Sequence, residues 1–327
     1  MAICITGGSG FVGKALARRL SASGQALRLL DIVEPAVHGH AFHRCDITNP
    51  ESLPGAVDGG TAIVHLAAEH RDDVRPESRY TAVNTAGSIA IAEAAEAAGI
   101  DRIVFSSTVA VYGLSAPGAD ETAKPAPFNA YGRSKLAAER ALRDWQSRAP
   151  DRRMLAIVRP CVVFGPGNRG NVHTLFAQIA AGHFVMVGPG RHRKSLAHVD
   201  NLAAFLARCC DLPAGVHLFN YADRPDLTVA ELVALARRRL LGRGGTGVRL
   251  PAAAGLALGY GADAVGHLLG RRLPVSAVRV RKFLADTSVD ARRAHGLDGF
   301  SAPLPLRSAL EMTLMAEFGT AAPRQSR

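Results

Sequence analysis

Ala2-Ile3-Cys4-Ile5-Thr6-Gly7-Gly8-Ser9-Gly10-Phe11-Val12-Gly13, near the start of a 327-residue chain, decides how the fold is read. Ala2 to Ile5 is a short apolar run followed, after Thr6, by glycines, the pattern of a buried strand. Lys14 to Ser21 then places Ala15, Leu16 and Leu20 at helical spacing. A glycine-rich turn between a buried strand and a helix lets backbone N–H groups approach a pyrophosphate at the positive helix end. The spacing Gly7-x-x-Gly10-x-x-Gly13 departs from the commoner G-x-G-x-x-G, and glycines alone also serve ordinary turns. The flanking elements supply the missing weight: a second strand, Ala26 to Leu30, ends in Asp31. An acid about 20 residues past the glycines suits the two ribose hydroxyls of NAD and repels the 2′-phosphate of NADP. The bland alternative for Asp31 is a loop acid capping a helix. Arg28, just before it, leaves an opening for use of both dinucleotides, so NAD is expected ahead of NADP.

Working outward, strands near 2–5, 26–31, 62–66, 102–107 and 154–159 alternate with helices near 11–22, 80–98 and 130–148. Such alternation predicts an α/β chain, a Rossmann-type doubly wound parallel sheet with helices on both faces. Beyond Pro166 the pattern loosens. Short strands are expected at 184–187 and 195–198, a late strand at 217–220 returning to the main sheet, and mostly helix over 223–327. The expected division is 1–165 with return segments at about 195–222 for the dinucleotide, and 166–194 with 223–327 as a smaller substrate lobe.

Tyr131-Gly132-Arg133-Ser134-Lys135 falls on the helix near 130–148. Residues four apart share a helix face, so Tyr131 and Lys135 can reach each other. A tyrosine with a pKa of roughly 10 is a poor base at neutral pH, and a nearby ammonium favours its phenolate. The pair can then move a proton to or from a substrate hydroxyl. The spacing alone is common on ordinary helices; its place behind a dinucleotide motif gives it meaning.

These motifs together resemble the extended short-chain dehydrogenase/reductases, the NAD-dependent epimerase/dehydratase family that acts on nucleotide sugars. Further strings carry the resemblance over nearly the whole chain. Asp46-Ile47 resembles the pair beside the adenine, and His65-Leu66-Ala67-Ala68 the segment closing the fourth strand on the cofactor. Val83-Asn84-Thr85-Ala86-Gly87 is similar to the helix whose Asn braces the active site, and Phe105-Ser106-Ser107-Thr108 to the strand carrying the catalytic hydroxyl. Arg159-Pro160 and Val163-Phe164-Gly165-Pro166-Gly167 resemble the strand and loop that lead into the substrate region. The resemblance implies Tyr131 as base, Lys135 as its partner and ribose ligand, and Thr108 as the hydroxyl on the reacting oxygen. Ser107 stands in if the register slips by one. It also implies cofactor contacts from Gly7, Gly10, Phe11, Val12, Gly13, Asp31, Asp46, Ile47, Leu66, Ala67, Ala68, Asn84, Ser106 and Pro160.

Two departures narrow the reaction. Sugar dehydratases of this kind carry Asp-Glu directly after the threonine, where this chain has Val109 and Ala110. Val162 stands where many relatives have an Asn on the substrate diphosphate. Anion recognition is therefore expected from Asn171, at the start of a helix whose end can face a phosphate, and from Arg193-Lys194. That pair sits where Arg193 to Asp200 resembles the family's Arg-Asp-Tyr-Ile-His-Val segment. Lysine there supplies a point charge where arginine would supply a bidentate fork. Arg71, within His70-Arg71-Asp72-Asp73, is a further candidate contact with a polar loop as its bland reading; Arg279 and Arg281 read equally as a solvated basic face.

Composition sets the remaining bounds. The net charge of +11 comes chiefly from arginine, with only five lysines; no basic run with interleaved aromatics points to nucleic acid. Five cysteines show no metal spacing, and their odd count argues against a disulfide framework. With a first strand starting at residue 2, no signal peptide is expected, and a reducing cytoplasm is the simplest setting. Leu250 to Leu269 is rich in Ala, Gly and Leu, yet Pro251, Asp263 and His267 interrupt it. A packed helix or helix pair is expected, with peripheral membrane contact beside Arg271-Arg272 as the lesser reading. The resemblance further implies a homodimer through helices near 80–98 and 130–148. Three reactions stay open: 4-epimerisation of a UDP-hexose or UDP-N-acetylhexosamine through a 4-keto sugar, NAD(P)H-dependent reduction of a 4-keto-6-deoxy nucleotide sugar, and a non-catalytic NAD(P)-sensing role. A steroid-type dehydrogenase is a weaker fourth.

Overall fold

The apolar run that opens the chain becomes β1 (Ala2–Thr6), an inner strand of a seven-stranded parallel sheet in a computed structural model. The structure describes residues 2–35, 39–71, 74–114, 116–269 and 276–319. The sheet also contains β2 (Leu27–Asp31), β3 (Ala41–Arg44), β4 (Gly60–His65), β5 (Arg102–Ser106), β6 (Met154–Pro160) and β7 (Gly215–Tyr221). Their spatial order is β3-β2-β1-β4-β5-β6-β7. All pairs are parallel. Parallel strands need covered faces, which is why β6 is buried at every position. The strand expected near 217–220 is β7, at the sheet edge; β3, at the opposite edge and mostly exposed, escapes a reading by apolar pattern.

One face is covered by α1 (Phe11–Ala22) and a helix at Val199–Cys209, whose Leu16, Leu20, Leu202 and Phe205 pack with β1 and β6 in one core. The other is covered by α2 (Gly87–Ala97) and α3 (Ala130–Ser147), through Ile91, Leu142 and Trp145. A separate core joins the helices Asn171–Ala180, Val229–Leu241 and Leu306–Phe318. The short strand Leu196–His198 pairs with Val162–Phe164, and Met186–Val187 with Arg249–Leu250, outside the main sheet. All five cysteines are buried and free.

Leu250 to Leu269 folds as a helix, Ala252–Leu268, followed by Ala277–Leu284. The Asp263 carboxylate accepts the Ala277 N–H at 3.0 Å, so the acid that interrupts the apolar run caps the next helix. No helix among the described residues is long and apolar enough to cross a membrane.

Candidate active site

In a doubly wound sheet the carboxyl ends of the strands splay apart where the strand order reverses, here between β1 and β4. The loop after β1 lies in that crevice. Gly7 adopts φ +70°, and a Cβ on it would sit 2.7 Å from the Ala67 amide nitrogen; a Cβ on Gly13 would sit 2.3 Å from the Gly7 carbonyl oxygen. Side chains at either position would force β1, β4 and α1 apart. Gly10 is the N-cap of α1, with no side-chain cap and no acid in the first turn. The first-turn N–H groups at Phe11, Val12 and Gly13 thus present the positive end of a helix dipole to the crevice, which fits a dinucleotide pyrophosphate.

Asp31, at the end of β2, accepts the Ser9 N–H at 3.0 Å and the Val33 N–H at 3.1 Å, which holds its carboxylate beside the glycine loop. Arg28 points elsewhere: its guanidinium donates to the carbonyls of Ala56 at 3.0 Å and Asp58 at 2.7 Å. The opening toward NADP that Arg28 offered is thereby closed, because the guanidinium is committed to a turn on the far end of the sheet. Asp46 is held by the Thr48 N–H and hydroxyl at 2.9 and 2.7 Å, and Ile47 is buried beside it. Leu66, Ala67 and Ala68 follow β4; Ser106 and Pro160 end β5 and β6, so all reach the same edge of the sheet.

Beneath the crevice runs a closed polar relay. The N–H groups of Leu66 and Ala67 donate to the Thr6 hydroxyl, which meets His65 Nδ1 at 2.7 Å; His65 Nε2 meets the Ser88 hydroxyl at 2.9 Å, which donates to the Asn84 carbonyl at 2.6 Å. Burial pushes His65 down to about 3, with the nearby Lys135 charge adding to the shift. A neutral ring that accepts from Thr6 and donates to Ser88 satisfies every member.

Tyr131 and Lys135 lie one turn apart at the start of α3, where the Asn129 side chain accepts the Gly132 N–H at 2.8 Å as N-cap. Lys135 is 1% exposed, its ammonium 4.0 Å from the Phe105 ring centre. Burial pulls it down to about 7, against the opposing pull of Glu139. The chain before α2 makes a π-helical turn, Thr81–Ala86, that carries Asn84 inward. Asn84 accepts the Glu69 N–H at 2.8 Å and donates to the Glu69 carbonyl and the Ser134 hydroxyl, both at 2.9 Å; Ser134 donates to the Tyr131 carbonyl at 2.8 Å. The Tyr131 ring tilts against Tyr80, 6.4 Å between centres.

Thr108 and Ser107 have different uses. Thr108 accepts the Ala110 N–H at 3.1 Å and caps a single 3-10 turn, which leaves its hydroxyl proton to donate. A Cβ on Gly132 would lie 2.7 Å from the Ala110 carbonyl, so the Thr108 turn and the Tyr131 turn touch through a bare glycine. Ser107, the stand-in for Thr108, faces the interior. It is 3% exposed and its hydroxyl donates to Glu139. Glu139 is paired with Arg159 at 2.5 and 2.9 Å, Arg159 donates to the Tyr112 hydroxyl at 2.8 Å, and Tyr112 donates to Asn220 on β7 at 2.8 Å. Glu139, Arg159, Tyr112 and Asn220 were not foreseen as site supports. Glu139 sits four residues past Lys135 and reads as a solvated helix position; only the packing of α3 on β6 makes it internal.

On the substrate side the two cations expected to meet a diphosphate lie against the scaffold. Lys194 donates to the carbonyls of Lys282, at 2.9 Å, and Ala285, closing the end of the helix Ala277–Leu284, and burial pulls its ammonium down to about 8. Arg193 donates to the Asp226 carbonyl at 2.9 Å. Both cations are spent on backbone acceptors because the short pairing of Arg193–Lys194 with Leu227–Thr228 aims them there. Asn171 is exposed at the first position of its helix, and Arg71, 3.6 Å from Glu69, lies near Tyr131 through Tyr80, whose hydroxyl donates to the Arg71 carbonyl. Arg281 meets the Tyr260 hydroxyl and ring. Asp72, Asp73, Arg271, Arg272 and the Arg279 side chain lie outside the described residues.

Comparison with known proteins agrees with this geometry. The model of the NAD dependent epimerase/dehydratase family matches residues 3–220. The chain is 40% identical over 317 residues to the N-acetyl-alpha-D-glucosaminyl-diphospho-ditrans,octacis-undecaprenol 4-epimerase of Escherichia coli O157:H7, covering 97% of this chain and 95% of that protein. It is 31% identical over 245 residues to a UDP-glucose 4-epimerase of Vibrio cholerae, 71% of this chain and 73% of the relative. Among solved structures, the UDP-glucose 4-epimerase of Thermotoga maritima with UDP-glucose superposes with a TM-score of 0.77 at 21% identity, over 97% of this chain and 98% of that one, a likeness of fold.

Proposed function

The chain belongs to the NAD-dependent epimerase/dehydratase family, and on that premise we propose that it is an NAD-dependent 4-epimerase of a hexose or N-acetylhexosamine carried on a diphosphate. The carrier is UDP or a polyprenol. The observation that supports this reading is that the turn capped by Thr108 abuts the first turn of α3, which carries Tyr131 and Lys135, in a fold whose glycine loop fits a dinucleotide. NAD bound there supplies the hydride acceptor and donor.

The residues divide the work of a reversible alcohol oxidation. Tyr131, as phenolate, takes the proton of the sugar 4-hydroxyl as hydride leaves C4, giving a 4-keto sugar. Lys135, buried against Phe105, favours the phenolate and holds the nicotinamide ribose. Thr108 donates to the sugar O4 and holds it through both half-reactions. Return of hydride to the other face of C4, with the proton given back by Tyr131, inverts the centre with no net oxidation. Val109 and Ala110 place no acid and base beside Thr108, so water elimination has no proton path there.

The test is conversion of UDP-N-acetylglucosamine and of polyprenyl-diphosphate N-acetylglucosamine without added cofactor, followed by NMR of the product. A 4-epimer formed with no net change in absorbance at 340 nm is the expected result. Stoichiometric loss of NADH on a 4-keto sugar would replace it with the reductase reading. The same reading includes a homodimer through the outer faces of α2 and α3, tested by light scattering, and a cytoplasmic setting in which the five thiols stay reduced.

A further inference from the structure

The helix Ala252–Leu268 has two unlike faces. One is stripped of side chains: a Cβ on Gly255 would lie 2.4 Å from Val187 Cγ1, and one on Gly259 would lie 2.8 Å from the Ala277 α-carbon. That face presses onto the short strand at Met186–Val187 and onto the helix Ala277–Leu284. The other carries Leu258, Val265 and Leu269, spaced by seven and four so that they form one stripe, at 61%, 46% and 63% exposure. Val278, on the second helix, is also exposed. Among the described residues nothing covers this stripe, although four large apolar side chains left exposed on two neighbouring helices are costly in water.

Cations flank Val278 on the second helix, Arg281 and Lys282 standing three and four residues past it. Arg281 stacks on Tyr260 with 5.4 Å to the ring centre, and the Lys282 ammonium lies 5.7 Å over Phe128. Phe128 is itself exposed and stands three residues before Tyr131, so the second helix borders the entrance to the catalytic turn. Exposed apolar side chains beside a cation-bearing helix, on a chain of net charge +11, are complementary to the surface of an anionic bilayer.

We propose that the helices Ala252–Leu268 and Ala277–Leu284, with Leu269 and Phe128, dock on an anionic phospholipid membrane and there receive a sugar whose diphosphate is carried by a membrane-embedded polyprenol. The inference rests on the 4-epimerase reading for the sugar chemistry and on the two-faced helix for the carrier. It selects the lipid carrier over UDP as the natural one. The full-length protein would be floated with phosphatidylcholine vesicles with and without phosphatidylglycerol, alongside Leu258→Glu/Val265→Glu and, on the neighbouring helix, Val278→Glu. Wild type should float with the anionic vesicles, and the double variant should bind at least about tenfold more weakly while melting at the same temperature. Turnover of polyprenyl-diphosphate N-acetylglucosamine in those vesicles should fall in the double variant, and turnover of soluble UDP-N-acetylglucosamine should not. Wild type that stays in solution, or variants that float as well as wild type, would overturn the proposal. So would a wild-type dimer that the double variant converts to monomer, since a second copy would then own the stripe. Failure of both sugars to react while wild type still floats and the variant does not would sink the epimerase reading and leave the docking surface standing.

Discussion

The dinucleotide crevice and the substrate side of the molecule treat their polar groups in opposite ways. In the crevice, Thr6, His65, Ser88, Asn84 and Ser134 form one hydrogen-bonded run in which each buried donor meets an acceptor, and the open positions are backbone N–H groups at a helix end. On the substrate side, the long cations expected to hold a diphosphate are tied to carbonyls of the scaffold, while an apolar stripe faces outward. The lesson concerns what spacing can specify. Glycine spacing fixes where backbone can approach a ligand, because backbone geometry is local. A flexible lysine or arginine goes to the best acceptor within reach, and that acceptor is set by distant chain.

The largest effect should come from Tyr131→Phe, which removes the proton relay and leaves the ring against Tyr80. Turnover should fall by about 10³-fold with NAD content and circular dichroism unchanged. Near-normal turnover would mean that the crevice side of the contrast has been misassigned.

Lys135→Met should also abolish activity, and its stability has a definite pH signature. The folded lysine titrates at about 7 and its ordinary value is 10.5, so between them the unfolded chain holds a proton that the folded chain lacks. Wild-type stability should therefore rise with pH across that window, by up to roughly 1.4 kcal/mol per unit from this group, and level off below it. The methionine variant should lack that increment in urea melts across the same range. Parallel slopes would show a lysine charged throughout in the folded state.

The two neighbouring hydroxyls sharpen the comparison further. Thr108→Ala should lower kcat by about 10²-fold with little change in melting. Ser107→Ala should do the reverse, costing about 1–3 kcal/mol of stability because Glu139 keeps its charge and loses a donor. Exchanged outcomes would move the register by one residue.

The smallest effect is expected at Lys194→Met: about 1 kcal/mol of stability from two uncapped carbonyls, with KM unaltered. A steep rise in KM at constant stability would return Lys194 to the diphosphate and erase the contrast on that side.

Much of the crevice was legible from Gly7, Gly10, Gly13, Asp31, Tyr131 and Lys135, because each acts through local geometry: a turn, a strand end, one helical turn. Arg28 and Ser107 stand beside site residues in sequence but turn away from them in the fold. Arg28 lies beside Asp31 along the chain, yet alternate residues of a strand face opposite sides, and the turn at Ala56 to Asp58 captures it. Ser107 adjoins Thr108, but Glu139 and Arg159, from another helix and strand, draw its hydroxyl into the interior. The exposed stripe on Leu258, Val265 and Leu269 was hidden for the same reason, since an apolar helix reads alike whether or not another element covers it.

Sequence by itself determined the doubly wound sheet, the glycine turn after its first strand and the placing of Tyr131 and Lys135 one helical turn apart, because periodicity and short-range spacing are enforced by backbone hydrogen bonding within a few residues. Tertiary structure alone decided which charges are available. A buried ammonium or guanidinium must be satisfied by whatever acceptor packing brings within about 3 Å, and residues far apart along the chain supply it.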